Sequence, residues 1–501
     1  MKPNPHETSK SLIIGLCGAI GSGADSVKTT LEEELESQGY KVVTIKISAL
    51  IEKYADCSKN FTTKYERYTA LQDTGDLLRK KYKHSVLAEL AIREIGIQRN
   101  VYNGQSAEAN KEIAPELKRE AEINKKKMAF IVYQLKHPAE VNLFQELYRN
   151  NFYMLGVLRN ESQRRARLES DQIQQNDINT LIEKDRKGIG DHSQHVEKSL
   201  FRADYFVRNI DNKDKIKRSI SKFISLIHGV NGITPTDDEK GMFSAFSASL
   251  RSACLSRQVG ASIMDNDGNI LSTGCNDVPK AGGGLYTSES STDNRCFNSD
   301  QGKCHNDLHK SHLRNEFEKI LKDYAEKNSI ELDEKSIAKI LIEESKAKSI
   351  IEYSRAIHAE MDAIISMARS STNSTKEKTI YCTTYPCHNC ARHIVASGIV
   401  RVVYIEPYEK SLATQLHGDA IVNSEKEESK NKVIFESFEG VSPKRYSKFF
   451  GYNNQRKDSN GLAIRTSIID SYHVDTQYLD SYLDYEKKVG SNLDKQGLLI
   501  K

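Results

Sequence analysis

The chain predicts an α/β protein of two domains, and three observations carry that reading. Short apolar strands alternate with polar helical stretches through residues 1–230, the pattern of a parallel sheet with crossover helices. The turn-rich run Gly229-Val-Asn-Gly-Ile-Thr-Pro-Thr236 then reads as a linker. A second set of strand and helix patterns covers residues 236–475 and carries His358-Ala-Glu360 and Pro386-Cys-His-Asn-Cys390 early in two successive helices. A length of 501 residues also suits two domains, and residues 476–501 read as a tail, loose after Gly490.

In the first domain, strands are predicted at Leu12–Cys17, Lys41–Ile47, Met128–Leu135, Phe152–Leu158 and Ala203–Arg208, and a helix over Lys213–His228 closes the unit. The first strand runs into Gly15-Leu-Cys-Gly18-Ala-Ile-Gly21-Ser-Gly23 and then a helix. Gly18 and Gly23 have the spacing of a P-loop, whose backbone N–H groups cradle phosphate oxygens. Gly18, Gly21 and Gly23 are therefore candidate nucleotide-binding residues. The lysine and the Ser/Thr that complete such a loop are replaced by Ala24 and Asp25, and a carboxylate there repels phosphate. A sensor or scaffold is expected rather than an ATPase, and Lys28 reads as an exposed helix lysine. The stretch Arg159-Asn-Glu-Ser-Gln-Arg-Arg-Ala-Arg167 is either a lid or a solvated helix face.

The second domain is expected to open with a helix over Asp237–Ser256. An irregular stretch Gly282–Leu313 and a charged, helix-patterned insertion over residues 313–355 follow. Thr379–Tyr385 reads as a buried strand ending at Pro386, a residue suited to the first turn of a helix. Cys387 and Cys390, three apart, then share one helix face near an end that favours thiolates. One neutral imidazole (His358) and two thiolates (Cys387, Cys390) make three ligands for Zn2+, and a catalytic zinc keeps its fourth position for water. Glu360 is left over to move protons. This H-x-E…P-C-x-x-C pattern is the signature of zinc deaminases of nucleobases, in which water attacks C4 of cytosine.

Further residues carry a more specific resemblance. Leu250-Arg-Ser-Ala-Cys254-Leu-Ser-Arg257-Gln-Val-Gly260-Ala, with Gly274-Cys-Asn276-Asp-Val-Pro279, resembles the R-S-x-C…R-x-V-G-A and G-x-N-x-x-P passages of deoxycytidylate deaminases. That resemblance implies that Asn276 hydrogen-bonds the nucleoside and Arg257 meets the 5′-phosphate. One residue more separates Cys254 from Arg257 than in some relatives, and Asp362 stands where many have Asn. Tyr404–Ala413 and Gly440–Tyr446 read as extensions past an ordinary deaminase core. In the region of the irregular stretch Gly282–Leu313, some deoxycytidylate deaminases hold a second, structural zinc. Cys254, Cys296, Cys304, His305, His309 and His312 are the residues to test for it, a pocket-gating loop being the other reading. His388 and His393 read as neighbours of the site rather than ligands.

With the glycine loop and an Arg159–Arg167 stretch similar to the lid of nucleoside monophosphate kinases, the layout resembles bacterial anti-phage deoxycytidine-nucleotide deaminases. These join a P-loop kinase-like parallel-sheet domain to a cytidine-deaminase-like α/β/α domain. The resemblance implies deamination of dCTP or dCMP, which drains a nucleotide pool, control by a regulatory nucleotide or an inhibitory RNA, and a homo-oligomer. Two other classes stay in view: a polynucleotide cytosine deaminase, and a nucleotide-sensing protein whose P-loop domain is the active part. A net charge of +4 without a basic stripe, and the lack of Trp for stacking, count against the first. Nine cysteines, a polar amino-terminal segment and no long apolar run suit a reducing, cytoplasmic compartment and no membrane partner.

Overall fold

The computed structural model describes residues 8–9, 11–55, 60–102, 127–188, 190–299, 302–345, 347, 350, 352–370, 374–408, 411–423, 431–451, 455–469, 471, 477–478 and 483–495. It divides into two units, Met1–Glu239 with Ser437–Lys501, and Lys240–Glu436.

In the first unit β1 (Leu12–Gly18), β2 (Lys41–Lys46), β3 (Met128–Tyr133), β4 (Phe152–Leu158) and β5 (Tyr205–Arg208) form a sheet in the order β2-β3-β1-β4-β5. All four pairings are parallel. β1, β3 and β4 are buried along their whole length, which is why they read as continuous apolar runs rather than alternating ones. Helices Ala24–Ser37 and Lys213–Ile227 pack Val27, Leu31, Leu35, Ile220 and Phe223 into one core. The Asn212 side chain accepts from Lys215 N–H and starts the second of these helices.

The carboxy-terminal part departs from expectation. Residues 437–475 read as the end of the second domain, yet Gly440–Val441 pairs antiparallel with β5. Val441 N–H donates to buried Glu239 at 2.9 Å, and Gly440 has φ +121°, where a Cβ would strike the Glu239 side chain. Among the described residues, the tail is ordered past Gly490 as far as Lys495. Leu483–Lys495 is a helix in which Val489 and Leu493, four apart, are buried. Glu486 on that helix meets Arg99 at 2.5 Å and the Tyr148 hydroxyl at 2.5 Å. Lys487 and Lys488 between the first two inward positions, and Gly490, Ser491 and Asn492 between the last two, hide the pattern in the sequence.

The second unit has a six-stranded mixed sheet. β6 (Gly260–Met264) and β7 (Ile270–Cys275) form an antiparallel hairpin, and β6 also pairs antiparallel with β8 (Thr379–Thr384). β8 runs parallel to β9 (Arg401–Glu406). β10 (Ile421–Val422) and β11 (Val433–Ser437) complete the order β7-β6-β8-β9-β11-β10. The helix expected to reach Ser256 ends at Ser249. Beyond it the Ser252 hydroxyl donates to Asn276 O and Ala253 N–H to the Asp277 carboxylate, which draws the chain off the helical path. The insertion is helical as expected, as His305–Asn328 and Glu334–Glu343, so the first of these helices starts inside the stretch read as irregular. No helix among the described residues is long and apolar enough to cross a membrane.

Two buried histidines of the first unit set an acid limit on it. His228 accepts from the Tyr40 hydroxyl and donates to Ile224 O, and His137 accepts from Ala139 N–H and donates to Asp191 O. Burial lowers both imidazoles from 6.5 to about 4. The unfolded chain therefore takes up these protons first as pH falls, so their contribution is whole above pH 6.5 and is lost down to about 4. Each should cost roughly 1–3 kcal/mol across that window. Urea unfolding followed across that range should show the fall, and His228→Gln should flatten it.

Candidate active site

Two helix starts and one strand end meet in the second unit. β8 ends at Thr384, and after Pro386 the residue Cys387 caps helix His388–Ala396, its sulfur accepting from Cys390 N–H. His358 directly precedes helix Ala359–Ser370, which places Glu360 in the first turn. That helix lies hard against β7. A Cβ on Gly274 would fall 2.2 Å from Ala359 O and 2.4 Å from Ala363 N, so only glycine admits the approach.

His358 Nδ1 stands 3.3 Å from Cys387 Sγ and 3.3 Å from Cys390 Sγ, and the three ligand atoms lie within 4.8 Å of one another. A tetrahedral zinc with Zn–N near 2.0 Å and Zn–S near 2.3 Å sets N···S edges at roughly 3.5 Å, so the donor set fits that ion. Hydrogen bonds from Cys390 and His358 pull the Cys387 thiol down to about 4, and the Cys387 thiolate in turn lifts His358 to about 9. The Cys390 thiol is pushed up by the neighbouring Cys387 thiolate and by burial, so one thiolate stands beside a thiol and an imidazolium, protons that a dication would displace. Glu360, 4 % exposed, has its carboxyl pushed above the usual range by burial.

A cavity of about 200 Å³ opens beside these groups, lined among others by His358, Glu360, Asn276, Arg257, Tyr385 and Tyr408. Asn276 is tied to the strand entry: its Nδ2 donates to Arg257 O at 2.8 Å and its Oδ1 accepts from Val259 N–H at 2.7 Å. Arg257 contributes its side chain to the wall, with Nη1 3.3 Å from Glu406 and the guanidinium 5.4 Å from the Tyr408 ring centre. Tyr408 belongs to the stretch read as an addition past the core, but it follows β9, a central strand, and reaches the cavity. Tyr385 was also missed; its place just before Pro386 was the available signal. Asp362 accepts from Cys275 N–H at 3.1 Å, a bond that an asparagine oxygen would make equally well.

Cys254 lines the same cavity, and Cys304 Sγ lies 3.8 Å from the Ser256 hydroxyl. His309 stacks on Tyr353 at 4.7 Å. Among the described residues, His358, Cys387 and Cys390 form the metal-type cluster, and Cys254, Cys296, Cys304, His305, His309 and His312 are not gathered into another.

In the first unit Gly18, Gly21 and Gly23 do form a turn between β1 and helix Ala24–Ser37, with Gly21 at φ +79° and Gly23 at +73°. The protein's own groups crowd this turn. Ile20 N–H donates to Asp185 at 2.8 Å, and Lys136 Nζ binds Asp185 at 2.6 Å and Gly18 O at 2.9 Å. A Cβ on Gly21 would lie 2.7 Å from Arg164 O. Lys28 does not reach back to the loop; it pairs with Glu32 along its helix at 2.7 Å. Arg159 and Arg167 of the possible lid both face Asp211.

A metal-type His/Cys/Cys set beside a buried carboxyl, at the starts of two helices on a mixed sheet, is the arrangement used by hydrolytic nucleobase deaminases. Residues 235–406 match the family model of the cytidine and deoxycytidylate deaminase zinc-binding region. The deoxycytidylate deaminase of Enterobacteria phage T4 is 30% identical over 167 residues, 33% of this chain and 76% of that protein. ComE operon protein 2 of Bacillus subtilis (strain 168) is 36% identical over 81 residues, 16% of this chain and 42% of that protein. Among solved structures, the dCMP deaminase of cyanophage S-TIM5 in complex with dCMP and dUMP matches 41% of this chain and 100% of its own, at 20% identity and a TM-score of 0.24. The chain belongs to the deoxycytidylate deaminase family.

Two outcomes are expected at these sites. Metal analysis of the purified protein should return one zinc per chain, and Cys390→Ala should weaken zinc retention against a chelator by about two orders of magnitude or more. Asp185→Ala should lower the stability of the first unit by about 3 kcal/mol, because it leaves the Lys136 charge inside without its partner. In urea unfolding, Asp185→Leu combined with Lys136→Met should recover most of that loss.

Proposed function

We propose that the protein catalyses zinc-dependent hydrolytic deamination of deoxycytidine nucleotides, dCTP, dCMP or both, to the deoxyuridine nucleotides. The observation that carries this reading is buried Glu360 beside the His358/Cys387/Cys390 cluster, in a cavity that also holds the Arg257 side chain. His358, Cys387 and Cys390 would hold zinc, which when bound supplies the acidity that makes water a competent nucleophile near neutral pH. Glu360 takes a proton from the attacking water and hands it to the ring as the new C–O bond forms at C4. It then carries a proton to the amino group, which leaves as ammonia when the C4–N bond breaks. Asn276 holds the Arg257–Val259 passage in place and offers its remaining amide hydrogen and lone pair to the sugar. Arg257, kept at the wall by Glu406 and Tyr408, takes the 5′-phosphate. The T4 relative's name supports a deoxycytidylate substrate. The resemblance to anti-phage deaminases supports a role in draining the deoxycytidine-nucleotide pool of an infected cell, in the cytoplasm, where the free thiols Cys254, Cys296 and Cys304 suit a reducing environment.

Product analysis tests the reaction. Zinc-loaded protein should release deoxyuridine nucleotide from dCMP or dCTP, and a cytosine-containing oligonucleotide should be left intact. Glu360→Gln should lower kcat by about 10²–10⁴-fold with zinc content unchanged. Absence of deoxyuridine product from both nucleotides would reject the reading.

A further inference from the structure

The first unit contains a cavity of 370 Å³ that the deamination chemistry does not use. Lys215, Arg218 and Lys222 stand three and four apart on helix Lys213–Ile227, so they share one face. All three line this cavity, and Arg208 joins them from the end of β5. The lining carboxylates are Asp238 and Glu439, so the wall carries more positive than negative charge. Lys222 is anchored by the buried Glu239 carboxylate at 2.7 Å, which fixes its ammonium at the wall.

Glu439 is the unusual member. Its carboxyl already meets the Ser219 side chain and the Arg208 backbone, but the Oε1 atom is buried without a hydrogen-bond partner, a costly state for that oxygen until a donor arrives. The other features of the wall therefore ask for an anion, and this oxygen asks for an N–H. The cavity also borders both segments by which the chain leaves and re-enters the first unit. Asp238 stands just before Lys240, and Ser437, Glu439 and Gly440 follow Glu436.

We propose that this cavity binds a nucleotide whose base carries an exocyclic amino group. Arg208, Lys215 and Arg218 take the phosphate, and Glu439 accepts an N–H from the amino group. Such a ligand would tie together the two segments that join the units, so the site is suited to sensing a nucleotide rather than to transforming it. The site is separate from the glycine loop and from the zinc-type cavity, and it stands whether or not the deamination proposal does.

The test is calorimetric titration of the full-length chain with AMP and CMP, each compared with its amino-lacking counterpart, IMP and UMP, and with inorganic phosphate. At least one amino-bearing nucleotide should bind about tenfold more tightly than its counterpart and than phosphate. Lys215→Glu and Arg218→Glu should each weaken it about tenfold or more, and Glu439→Met should bring the two members of the pair together. Arg218 is exposed, and Arg218→Gln serves as a milder variant if a charge reversal disturbs folding, as judged by thermal melting. Equal binding of both pair members to wild type, binding no tighter than that of phosphate, or binding untouched by Arg218→Glu and Arg218→Gln would overturn the proposal. In the last case the nucleotide is held elsewhere, at the glycine loop or at the zinc-type cavity.

Discussion

The geometry of the candidate site depends on a contact that one methyl group would break. At Gly274 the strand Ile270–Cys275 and the helix Ala359–Ser370 come together backbone to backbone. Two hydrogen bonds lock the approach, Ser272 hydroxyl to Ala363 O and Cys275 N–H to the Asp362 carboxylate. The first turn of that helix is thereby held at a fixed height over the sheet, and His358 and Glu360 with it. The sulfurs arrive independently, on a helix whose start follows the end of β8. Because β6 pairs with both β7 and β8, the two helix starts share one rigid frame. Zinc-type coordination tolerates only tenths of an ångström, and a frame of directly bonded strands delivers that tolerance where loops would not.

The first unit solves a different problem, that of charge taken inside. Arg79, with its side chain 1% exposed, lies between Asp76 and Glu140, and Glu140 also accepts from Lys136 N–H. Lys136 continues the chain of contacts to Asp185, and Asp185 to the turn amide of Ile20. Each buried charge is thus answered by an opposite one, the condition under which such groups are tolerated away from water. The glycine turn keeps the shape of a phosphate cradle, but in this arrangement a carboxylate of the protein itself meets its amide.

Much of this was legible because it is local. The pattern His358…Cys387-x-x-Cys390 with Glu360 depends on helix periodicity and on order along the chain, so it could be matched to the known deaminase signature. Three of the five parallel strands, β1, β3 and β4, were visible because strands buried on both faces are continuously apolar. The errors came from contacts distant in sequence. Ser252 and Ala253 leave the helix for partners at Asn276 and Asp277. Gly440–Val441 closes on β5 across more than two hundred residues. Tyr408 was set outside the core because nothing nearby marks β9 as a central strand.

By itself, then, the chain's order of residues determined which groups could hold a metal and move a proton, since ligand type, helix phase and strand burial are properties of a few consecutive residues. Only the tertiary structure decided what surrounds them. It brought Arg257 and Tyr408 to one cavity wall, Asp185 and Lys136 to the glycine turn, and Glu439 into one cavity with Arg208, Lys215 and Arg218. Those pairings are chosen by packing between segments far apart in sequence, where hydrogen-bond satisfaction and charge balance, rather than local periodicity, select the partner.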